Sequence, residues 1–409
     1  MPPPVSSART PAVRDVIVVG AGPAGATAAR VAAESGRRTL LLERAVIPRY
    51  KTCGGGLIGA ALAALPPGLP LKVYDTAGRF TFALDGRKER TLICSSPTVA
   101  LVYRSELDAA LTEAAAAAGA EVQDDTAVTG LEEEDGIVTV RTNRGDAFRA
   151  RSVVGADGSA SRVSRYVGVE CAQVDLALEV EVPVDERAAG RWRGRVLMEW
   201  GPLPGSFGWV FPKGDVCTAG VVAARGNPVA LRAYKDDFLR RQGLVGPRPL
   251  HDTGHLTRCR RPDSPLARGR VLVAGDAAAL VDHWSREGIS YALRSGDLAG
   301  RAAARIADAA GAEATAAADR YARQVEEVLG AEMRASDSLM RLFSRNPGLV
   351  HTALTRVPAM WRRLDAYVAG RTSVAGIMTS PLGRTAVALG DRVPLGRQRT
   401  PAGETTSAR

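Results

Sequence analysis

The sequence predicts an α/β protein that combines an N-terminal βαβ unit with an antiparallel β-sheet domain and a C-terminal helical region. A short apolar, β-branched run at residues 15–19 leads into a glycine-rich turn and an Ala-rich helical segment. Strand-like segments then follow one another between residues 171 and 265, and from Gly288 onward the pattern is helical. At 409 residues, the chain is long enough to bury a large core in about two or three subdomains.

The turn after the first strand has the spacing of a dinucleotide-binding site. In Gly20-Ala21-Gly22-Pro23-Ala24-Gly25, the first glycine makes the tight turn and the second lets backbone N–H groups approach a pyrophosphate. The third glycine lets the helix pack on the strand, and the positive end of the helix dipole faces the phosphates. The segment therefore predicts a Rossmann-type dinucleotide-binding unit.

The acid at the end of the second strand supports this prediction. Gly36 ends the helix, residues 39–42 form the next strand, and Glu43 follows 18 residues after Gly25. An acidic side chain at this place accepts hydrogen bonds from a ribose. Its charge favours FAD or NAD(H) over NADP(H), because it would repel a 2′-phosphate.

A cysteine followed by three glycines lies shortly after this acid. The segment Lys51-Thr52-Cys53-Gly54-Gly55-Gly56-Leu57 begins eight residues after Glu43. The glycines give a backbone that passes close to a flat ligand, while Cys53 presents one soft, redox-capable side chain. A plain turn with a buried thiol is the alternative interpretation.

Two distant segments, residues 155–163 and 274–278, each place an aspartate at a turn after a strand. Asp157 or Asp276 alone would also suit a turn or a helix cap. Together with the glycine turn, they resemble the signature set of FAD enzymes in the para-hydroxybenzoate hydroxylase superfamily, over residues 15 to about 300. The resemblance implies that FAD is the cofactor, that Asp276 bonds a ribityl hydroxyl, and that Arg104 contacts FAD.

Two further segments resemble the geranylgeranyl reductase family of that superfamily. The cysteine–glycine segment looks like the family's glycine-rich cysteine motif. Residues 204–212 are similar to the family pattern Pro, two residues, Tyr, any, Trp, any, Phe, Pro, with Phe207 at the Tyr position. The rings of Phe207, Trp209 and Phe211 would give a polyprenyl chain a flat apolar wall. At period two, they also suit the packed face of a strand.

The loop after Asp276 departs from the family. The family usually has Pro, Thr and Gly at the positions of His283, Ser285 and Arg286. The positions that match are Glu287, Gly288 and Ile289. Trp284 and Arg286 are expected to reshape the pocket or to bring a positive charge near the flavin, and His283 is expected to be structural.

The resemblance implies an FAD-dependent reductase that saturates C=C bonds of a polyprenyl, geranylgeranyl-type chain on a diphosphate, a phospholipid or a quinone. Reduced flavin supplies a hydride to one alkene carbon, and the other carbon needs a proton. Catalysis then rests on placing the alkene, excluding water and supplying an acid. Cys53 is a candidate acid or a pocket-shaping group.

The expected site residues form three groups, and no metal site is expected. The expected catalytic residues are Cys53, Trp209 and Phe211. The expected FAD-binding residues are Gly20, Gly22, Ala24, Gly25, Glu43, Arg44, Cys53, Gly54, Gly55, Arg104, Asp157, Asp276, Gly288 and Ile289. The expected substrate pocket comprises Gly55, Phe207, Trp209, Phe211 and Trp284.

Two other functions stay open on the same fold. One is an FAD-dependent monooxygenase that hydroxylates an aromatic or polyketide substrate, and the other is a non-catalytic prenyl-binding protein. The intact FAD residues argue against the second. No second nucleotide motif is visible, so the external reductant, NAD(P)H or a ferredoxin-type donor, stays open.

The charge of the chain is concentrated near its C-terminus. The net charge is +10, and residues 356–409 hold nine arginines and three acids. A solvated tail and attraction to an anionic membrane surface both explain this excess, and Trp361 in the basic helical region suits the second. Nucleic-acid binding is not expected, because no recognition motif or aromatic platform accompanies the charge.

Cysteine usage and the N-terminal segment predict a cytoplasmic protein, with peripheral membrane contact as an option. The five cysteines show no metal-binding spacing and are odd in number. The first 14 residues carry four prolines and no apolar core, which argues against a signal peptide. No apolar stretch approaches the length of a membrane span.

These patterns predict six regions along the chain. They are a flexible N-terminus (1–14), an FAD-binding domain (15–170) with a β-meander (122–150), a substrate-binding antiparallel sheet domain (171–265), a return to the FAD-binding domain (266–310), a C-terminal helical region (311–390) and a disordered basic tail (391–409).

Overall fold

The computed structural model describes residues 12–96, 98–381 and 383–384. The predicted disordered tail, 391–409, lies outside the described residues, as do residues 1–11 of the predicted flexible N-terminus and 385–390 of the helical region.

The described strands form two large sheets and one small sheet. In chain order they are β1 (Arg14–Val19), β2 (Thr39–Leu42), β3 (Gly56–Leu57), β4 (Asp75–Ala77), β5 (Arg79–Leu84), β6 (Arg87–Ile93), β7 (Val99–Leu101), β8 (Glu121–Gln123), β9 (Val128–Glu134), β10 (Ile137–Thr142), β11 (Ala147–Gly155), β12 (Cys171–Pro183), β13 (Arg195–Trp200), β14 (Phe207–Lys213), β15 (Val216–Ala224), β16 (His251–Arg260), β17 (Ala267–Arg268) and β18 (Val271–Val273).

The described helices lie between these strands and in the C-terminal region. They are α1 (Pro23–Glu34), α2 (Gly59–Ala63), α3 (Arg104–Ala117), α4 (Arg162–Val167), α5 (Glu186–Trp192), α6 (Pro228–Gln242), α7 (Ile289–Asp308), α8 (Gly311–Val325), α9 (Ala331–Arg345), α10 (Pro347–Arg356), α11 (Pro358–Val368) and α12 (Val374–Met378). A 3₁₀ turn spans Gly275–Ala278, and a π-helical turn, Glu326–Gly330, joins α8 to α9.

The first large sheet contains the predicted βαβ unit. Among the described residues its strand order is β17-β18-β11-β1-β2-β8, and β10 and β9 continue it from β11 as the predicted meander. The strands β18, β11, β1, β2 and β8 run parallel. Ile17 and Leu41 are fully buried, as expected for a parallel sheet that is covered on both faces.

The second large sheet has the order β16-β12-β15-β14-β13-β5-β6. Its strand pairs are antiparallel except for β13 with β5. The sequence predicted β12 to β15 but missed β16 and the β5–β6 hairpin. The predicted boundary at residue 170 therefore misses residues 79–93, which join this sheet by a long-range parallel pairing that no local pattern reveals.

The C-terminal helices cover one face of the second sheet. Phe343 on α9, Leu354 on α10 and Leu364 on α11 pack in one buried cluster with Phe82 and Trp200 of the sheet. The helical pattern of this region is interrupted at Val357, which takes an extended conformation before Pro358 and separates α10 from α11. On the opposite face of the sheet, α6 packs against β15. The C-terminal region thus forms part of the core.

Candidate active site

A cavity of about 880 Å³ is lined by residues of both large sheets and of helices α1, α7 and α11. All the predicted site residues except Gly25 lie in its wall. The sequence therefore identified side chains that are far apart in the chain but lie around a common space.

The glycine turn is closed by tight backbone contacts. Gly20 has a φ of +100°, and a Cβ there would lie 2.4 Å from the carbonyl oxygen of Ala156. A Cβ on Gly25 would lie 1.7 Å from the carbonyl oxygen of Gly20. Gly25 thus packs α1 against the turn and lies behind the cavity wall rather than in it.

The second glycine of the turn faces two arginines. A Cβ on Gly22 would lie 3.9 Å from Arg104 Nη2 and 4.0 Å from Arg49 Nη2. The N-terminus of α1 begins at Pro23, directly after this glycine. Two guanidinium groups and a helix N-terminus therefore converge on one spot in the wall, which is the chemistry of an anion-binding site.

The carboxylate of Glu43 is held in place by the turn. It accepts hydrogen bonds from the backbone N–H groups of Ala21, at 2.7 Å, and Ala45, at 3.2 Å. Arg49 Nε lies 3.2 Å from Glu43 Oε1. A carboxylate has room for further donors, so the predicted contact between Glu43 and a ribose stays a prediction. The neighbouring Arg44 also lines the cavity.

Asp108 binds the two arginines that face the turn. Arg104 donates two hydrogen bonds to the Asp108 carboxylate, both at 2.9 Å, and Arg49 Nη1 donates a third at 2.9 Å. Although burial opposes it, the charge of Asp108 raises the pKa of Arg104. Asp108 is thus the residue that orients Arg104, a role that the sequence did not assign.

The two predicted aspartates have different surroundings. The Asp157 carboxylate accepts hydrogen bonds from the Ser161 hydroxyl and from the N–H of Arg162, which makes it a cap of α4 as well as a residue of the cavity wall. Burial raises its pKa. Asp276 Oδ2 lies 3.6 Å from His255 Nε2. Burial opposes ionisation of Asp276, but the hydrogen bond from His255 and the charge of Lys51 outweigh it and lower its pKa.

The cysteine–glycine segment packs directly on the aromatic strand β14. A Cβ on Gly54 would lie 2.7 Å from Phe211 Cδ2 and 3.2 Å from Trp209 Nε1. The side chain of Cys53 lies beside the Arg104 guanidinium. The two motifs that carry the family resemblance are therefore in contact with each other, and only a residue without a Cβ can occupy position 54 at this spacing.

Four polar residues that the sequence analysis did not assign lie around this contact, two of them buried (Glu179 and Lys213) and two half-buried (Lys51 and His255). Lys51 Nζ lies 3.2 Å from His255 Nε2, and Lys213 Nζ lies 3.9 Å from Glu181 Oε1. Burial lowers the pKa of both lysines. The sequence signal that could have identified Glu179 is the pair of acids at alternate positions of β12, Glu179 and Glu181. Acids on the buried face of a strand are rare, so such a pair indicates a functional site.

The loop before α7 places its bulky residues in the sheet domain. Arg286 donates from Nε to Asp175 Oδ2 at 3.1 Å and from Nη1 to the carbonyl oxygen of Trp284 at 2.7 Å. The charge of Arg286 is therefore paired within the sheet, although the residue also lines the cavity. Trp284 packs against Trp200, with 5.8 Å between the ring centroids.

The end of the cavity away from the glycine turn is apolar. Its wall is formed by Ile58, Phe80, Phe82, Val196, Met198, Trp200, Trp284, Leu364, Tyr367 and Val368. The cavity wall thus combines a part rich in charged groups and backbone donors with an apolar chamber, and the cysteine–glycine segment packs on Phe211 and Trp209 in the same wall.

The residues at the charged end fit an FAD. The arginines and the α1 N-terminus at Gly22 suit a pyrophosphate, Glu43 suits a ribose, and Asp276 suits a ribityl hydroxyl. Gly288 and Ile289, at the N-terminus of α7, line the same wall.

Comparisons with known proteins agree with this fit. Residues 14–325 match the family model described as FAD binding domain. The chain is 31% identical to the digeranylgeranylglycerophospholipid reductase of Methanocella arvoryzae, over 87% of this chain and 99% of that protein. The chain belongs to the geranylgeranyl reductase family of FAD-dependent oxidoreductases. The predicted fold class, the FAD cofactor and the family are thereby confirmed.

Two further proteins support this assignment. The chain is 31% identical to the menaquinone reductase of Mycolicibacterium smegmatis, over 76% of this chain and 81% of that protein. A geranylgeranyl bacteriochlorophyll reductase-like protein from Thermoplasma acidophilum shares the fold, with a TM-score of 0.73 and 21% identity over 93% of this chain and 96% of that one.

The described residues contain neither a membrane-spanning helix nor a metal-binding cluster. None of their helices combines the length and the apolar character that crossing a membrane requires. They also contain no group of three or more His, Cys, Asp or Glu side chains that could hold a metal ion.

Proposed function

We propose that the protein is an FAD-dependent reductase that saturates C=C bonds of a polyprenyl chain carried on a diphosphate, a phospholipid or a quinone. The observation that carries this proposal is the continuity of the cavity, which extends from the FAD-binding wall past Cys53 into an apolar chamber. Such a chamber suits a linear polyprenyl chain, and it offers few hydrogen-bonding groups to a polar substrate. The names of the two reductases to which the chain is similar support the same class of substrate.

The cofactor supplies a hydride when it is bound and reduced. In the proposed site, Trp209 and Phe211 would form the wall against which the prenyl chain binds, and the backbone at Gly54 packs directly on these two rings. The apolar walls, including Trp284 and Tyr367, exclude water from the chamber. The external reductant is NAD(P)H or a ferredoxin-type donor. Each is added to the purified protein, and the one that bleaches the flavin absorbance is the reductant.

Incubation with three prenyl substrates tests the proposal. Geranylgeranyl diphosphate, a digeranylgeranyl glycerophospholipid and a polyprenyl quinone are each supplied to the purified holoenzyme with dithionite in the absence of oxygen. We expect at least one product to gain two hydrogen atoms for each double bond reduced. A purified protein without flavin would instead support the prenyl-binding function. Mass spectrometry of isoprenoid lipids in a deletion strain then identifies the native carrier.

The Cys53→Ala variant is expected to keep FAD but to lose alkene reduction by a factor of about 10 to 100. Loss of the thiol removes the contact beside Arg104 and loosens the segment that positions the alkene, and a displacement of roughly 1 Å is costly to catalysis. Flavin absorbance and the rate of alkene saturation check this prediction. Full activity would show that Cys53 serves packing alone.

We further propose that α10 and α11 bring the protein to an anionic membrane surface. Arg356 and Arg362 are exposed on these helices, and Trp361 lies beside the exposed Ile93, to whose carbonyl oxygen it donates a hydrogen bond of 3.2 Å. Arg371, which follows α11, is instead paired with Asp365 at 3.0 Å.

Changing Arg356, Arg362 and Arg363 to Gln is expected to weaken binding to vesicles of anionic phospholipid at least tenfold, because each such charge contributes about 1 kcal/mol. The matched control is Arg187, Arg232 and Arg248 changed to Gln, which removes the same charge from exposed positions elsewhere. Vesicle cosedimentation measures both. Equal binding by the two triple variants would contradict the proposed surface.

A further inference from the structure

A buried carboxyl group with one unused oxygen lies in the wall of the cavity. Glu179 on β12 is 1% exposed, and its Oε1 accepts a hydrogen bond of 2.9 Å from the backbone N–H of Cys53. Its Oε2 is buried and has no hydrogen-bond partner. An unpartnered buried oxygen is costly for an ionised carboxylate and much less so for a carboxylic acid, which carries no charge.

The position of Glu179 in the sheet brings it next to the aromatic wall. Glu179 pairs with Gly220 of β15, and Gly220 pairs with Trp209 of β14. The Trp209 indole occupies the space above Gly220, since a Cβ there would lie 2.5 Å from Trp209 Cζ2. Trp209 Nε1 is also buried without a partner. Glu179 thus lies in the same line of cross-strand pairs as Trp209, a residue of the predicted substrate wall. It is also hydrogen-bonded to the backbone of Cys53.

The charged groups around Glu179 come from several packed elements. Lys51 and Cys53 lie on the cysteine–glycine segment, Lys213 lies on β14, and Glu181 is the next acid on the same face of β12. Burial raises the pKa of Glu179 to about 7, although the Lys213 charge and the Cys53 N–H oppose the rise. A group with this pKa holds a proton for part of the time at neutral pH and gives it up readily.

We propose that Glu179 is the general acid of the alkene reduction. This inference rests on the proposed function, which supplies the alkene and the reduced cofactor. In the step, the O–H bond of Glu179 breaks and its proton forms a C–H bond to one alkene carbon with the π-electron pair. The hydride from the reduced cofactor forms the C–H bond at the other carbon. Glu179 is left as a carboxylate beside the Lys213 charge and takes a proton from solvent before the next turnover.

Cys53 has a different part in this account. Its backbone N–H orients the Glu179 carboxyl group, and its side chain positions the segment, so Cys53→Ala retains the acid. The rate of that variant is therefore expected to fall without a change in the shape of its pH profile. Loss of the acid itself is expected to change that shape.

The test compares Glu179→Gln with Glu181→Gln in the FAD-loaded enzyme, with geranylgeranyl diphosphate as the alkene and dithionite as the reductant. Gln keeps an oxygen for the Cys53 N–H but has no acidic proton. The wild-type rate is expected to be constant at low pH and to fall as pH rises through about 7, because the acid must be protonated. Glu179→Gln is expected to lose at least 100-fold in rate and to show no fall in this pH range.

The control Glu181→Gln removes a neighbouring buried carboxylate of the same strand face and is expected to keep the fall with pH. A second measurement does not depend on turnover: infrared difference spectra between pH 5 and pH 9 are expected to show the carbonyl bands of two protonated carboxylic acids, because burial raises the pKa of both Glu179 and Glu287 to about 7. Glu179→Gln is expected to lose one of these bands and to keep the one from Glu287. If the wild type reduces alkenes and Glu179→Gln keeps both its rate and its pH profile, the inference is wrong and the proposed function stands. If the wild type reduces no alkene, both are wrong.

Discussion

The Gly25→Ala variant is expected to purify without FAD. A Cβ at this position would lie 1.7 Å from the carbonyl oxygen of Gly20, so α1 must move away from the glycine turn. That movement displaces the helix N-terminus and the backbone N–H groups that face the pyrophosphate. Overpacking of this kind costs roughly 3 kcal/mol, which lowers an affinity about 100-fold.

The ratio of flavin absorbance to protein absorbance measures this effect. Gly130→Ala is the matched control, because Gly130 lies on β9 with no other atom within 4 Å of an added Cβ. The control is expected to keep the flavin content and the thermal stability of the wild type. A yellow, fully loaded Gly25→Ala protein would contradict the proposed packing of α1 on the turn.

The Gly54→Ala variant is expected to keep FAD but to lose alkene reduction about 100-fold. A Cβ on Gly54 would lie 2.7 Å from the Phe211 ring and 3.2 Å from Trp209 Nε1. The segment and β14 must therefore separate, and the aromatic wall moves away from the reacting carbon. Misplacement by roughly 1 Å is enough for a loss of this size.

Two graded variants make this prediction specific. A Cβ on Gly56 would lie 3.1 Å from Phe211, so Gly56→Ala is expected to have a smaller effect than Gly54→Ala. Gly226→Ala adds a methyl group with no other atom within 4 Å and is expected to be neutral. Steady-state rates with the same prenyl substrate rank the three variants. A rate for Gly54→Ala equal to that of Gly226→Ala would show that the contact with β14 does not matter for catalysis.

The parallel sheet and its cofactor were predictable because their signals are local. The run at residues 16–19 is fully apolar, and the glycine turn has a fixed spacing that follows from the geometry of a pyrophosphate against a helix N-terminus. The same holds for β13 to β15, which are rich in apolar and β-branched residues and buried along most of their length. The strand β16 is mostly polar, and its Thr253 and His255 line the cavity.

The polar surroundings of the site were not predictable from local patterns. Glu179 meets Cys53 across 126 positions of sequence, and Lys51 meets His255 across 204. These contacts depend on how the two sheets face each other, which spacing does not encode. Arg286, for which the sequence left open a reshaped pocket or a charge near the flavin, is another such case, because its partner Asp175 lies 111 positions away.

The mass of the product formed from geranylgeranyl diphosphate by the purified holoenzyme tests the central claim most directly. With dithionite in the absence of oxygen, the account predicts products heavier by two hydrogen atoms for each saturated bond. With NAD(P)H in air, it predicts no product that contains added oxygen. An oxygenated product in air, together with an unchanged prenyl chain under anaerobic reduction, would contradict the reductase and establish a monooxygenase.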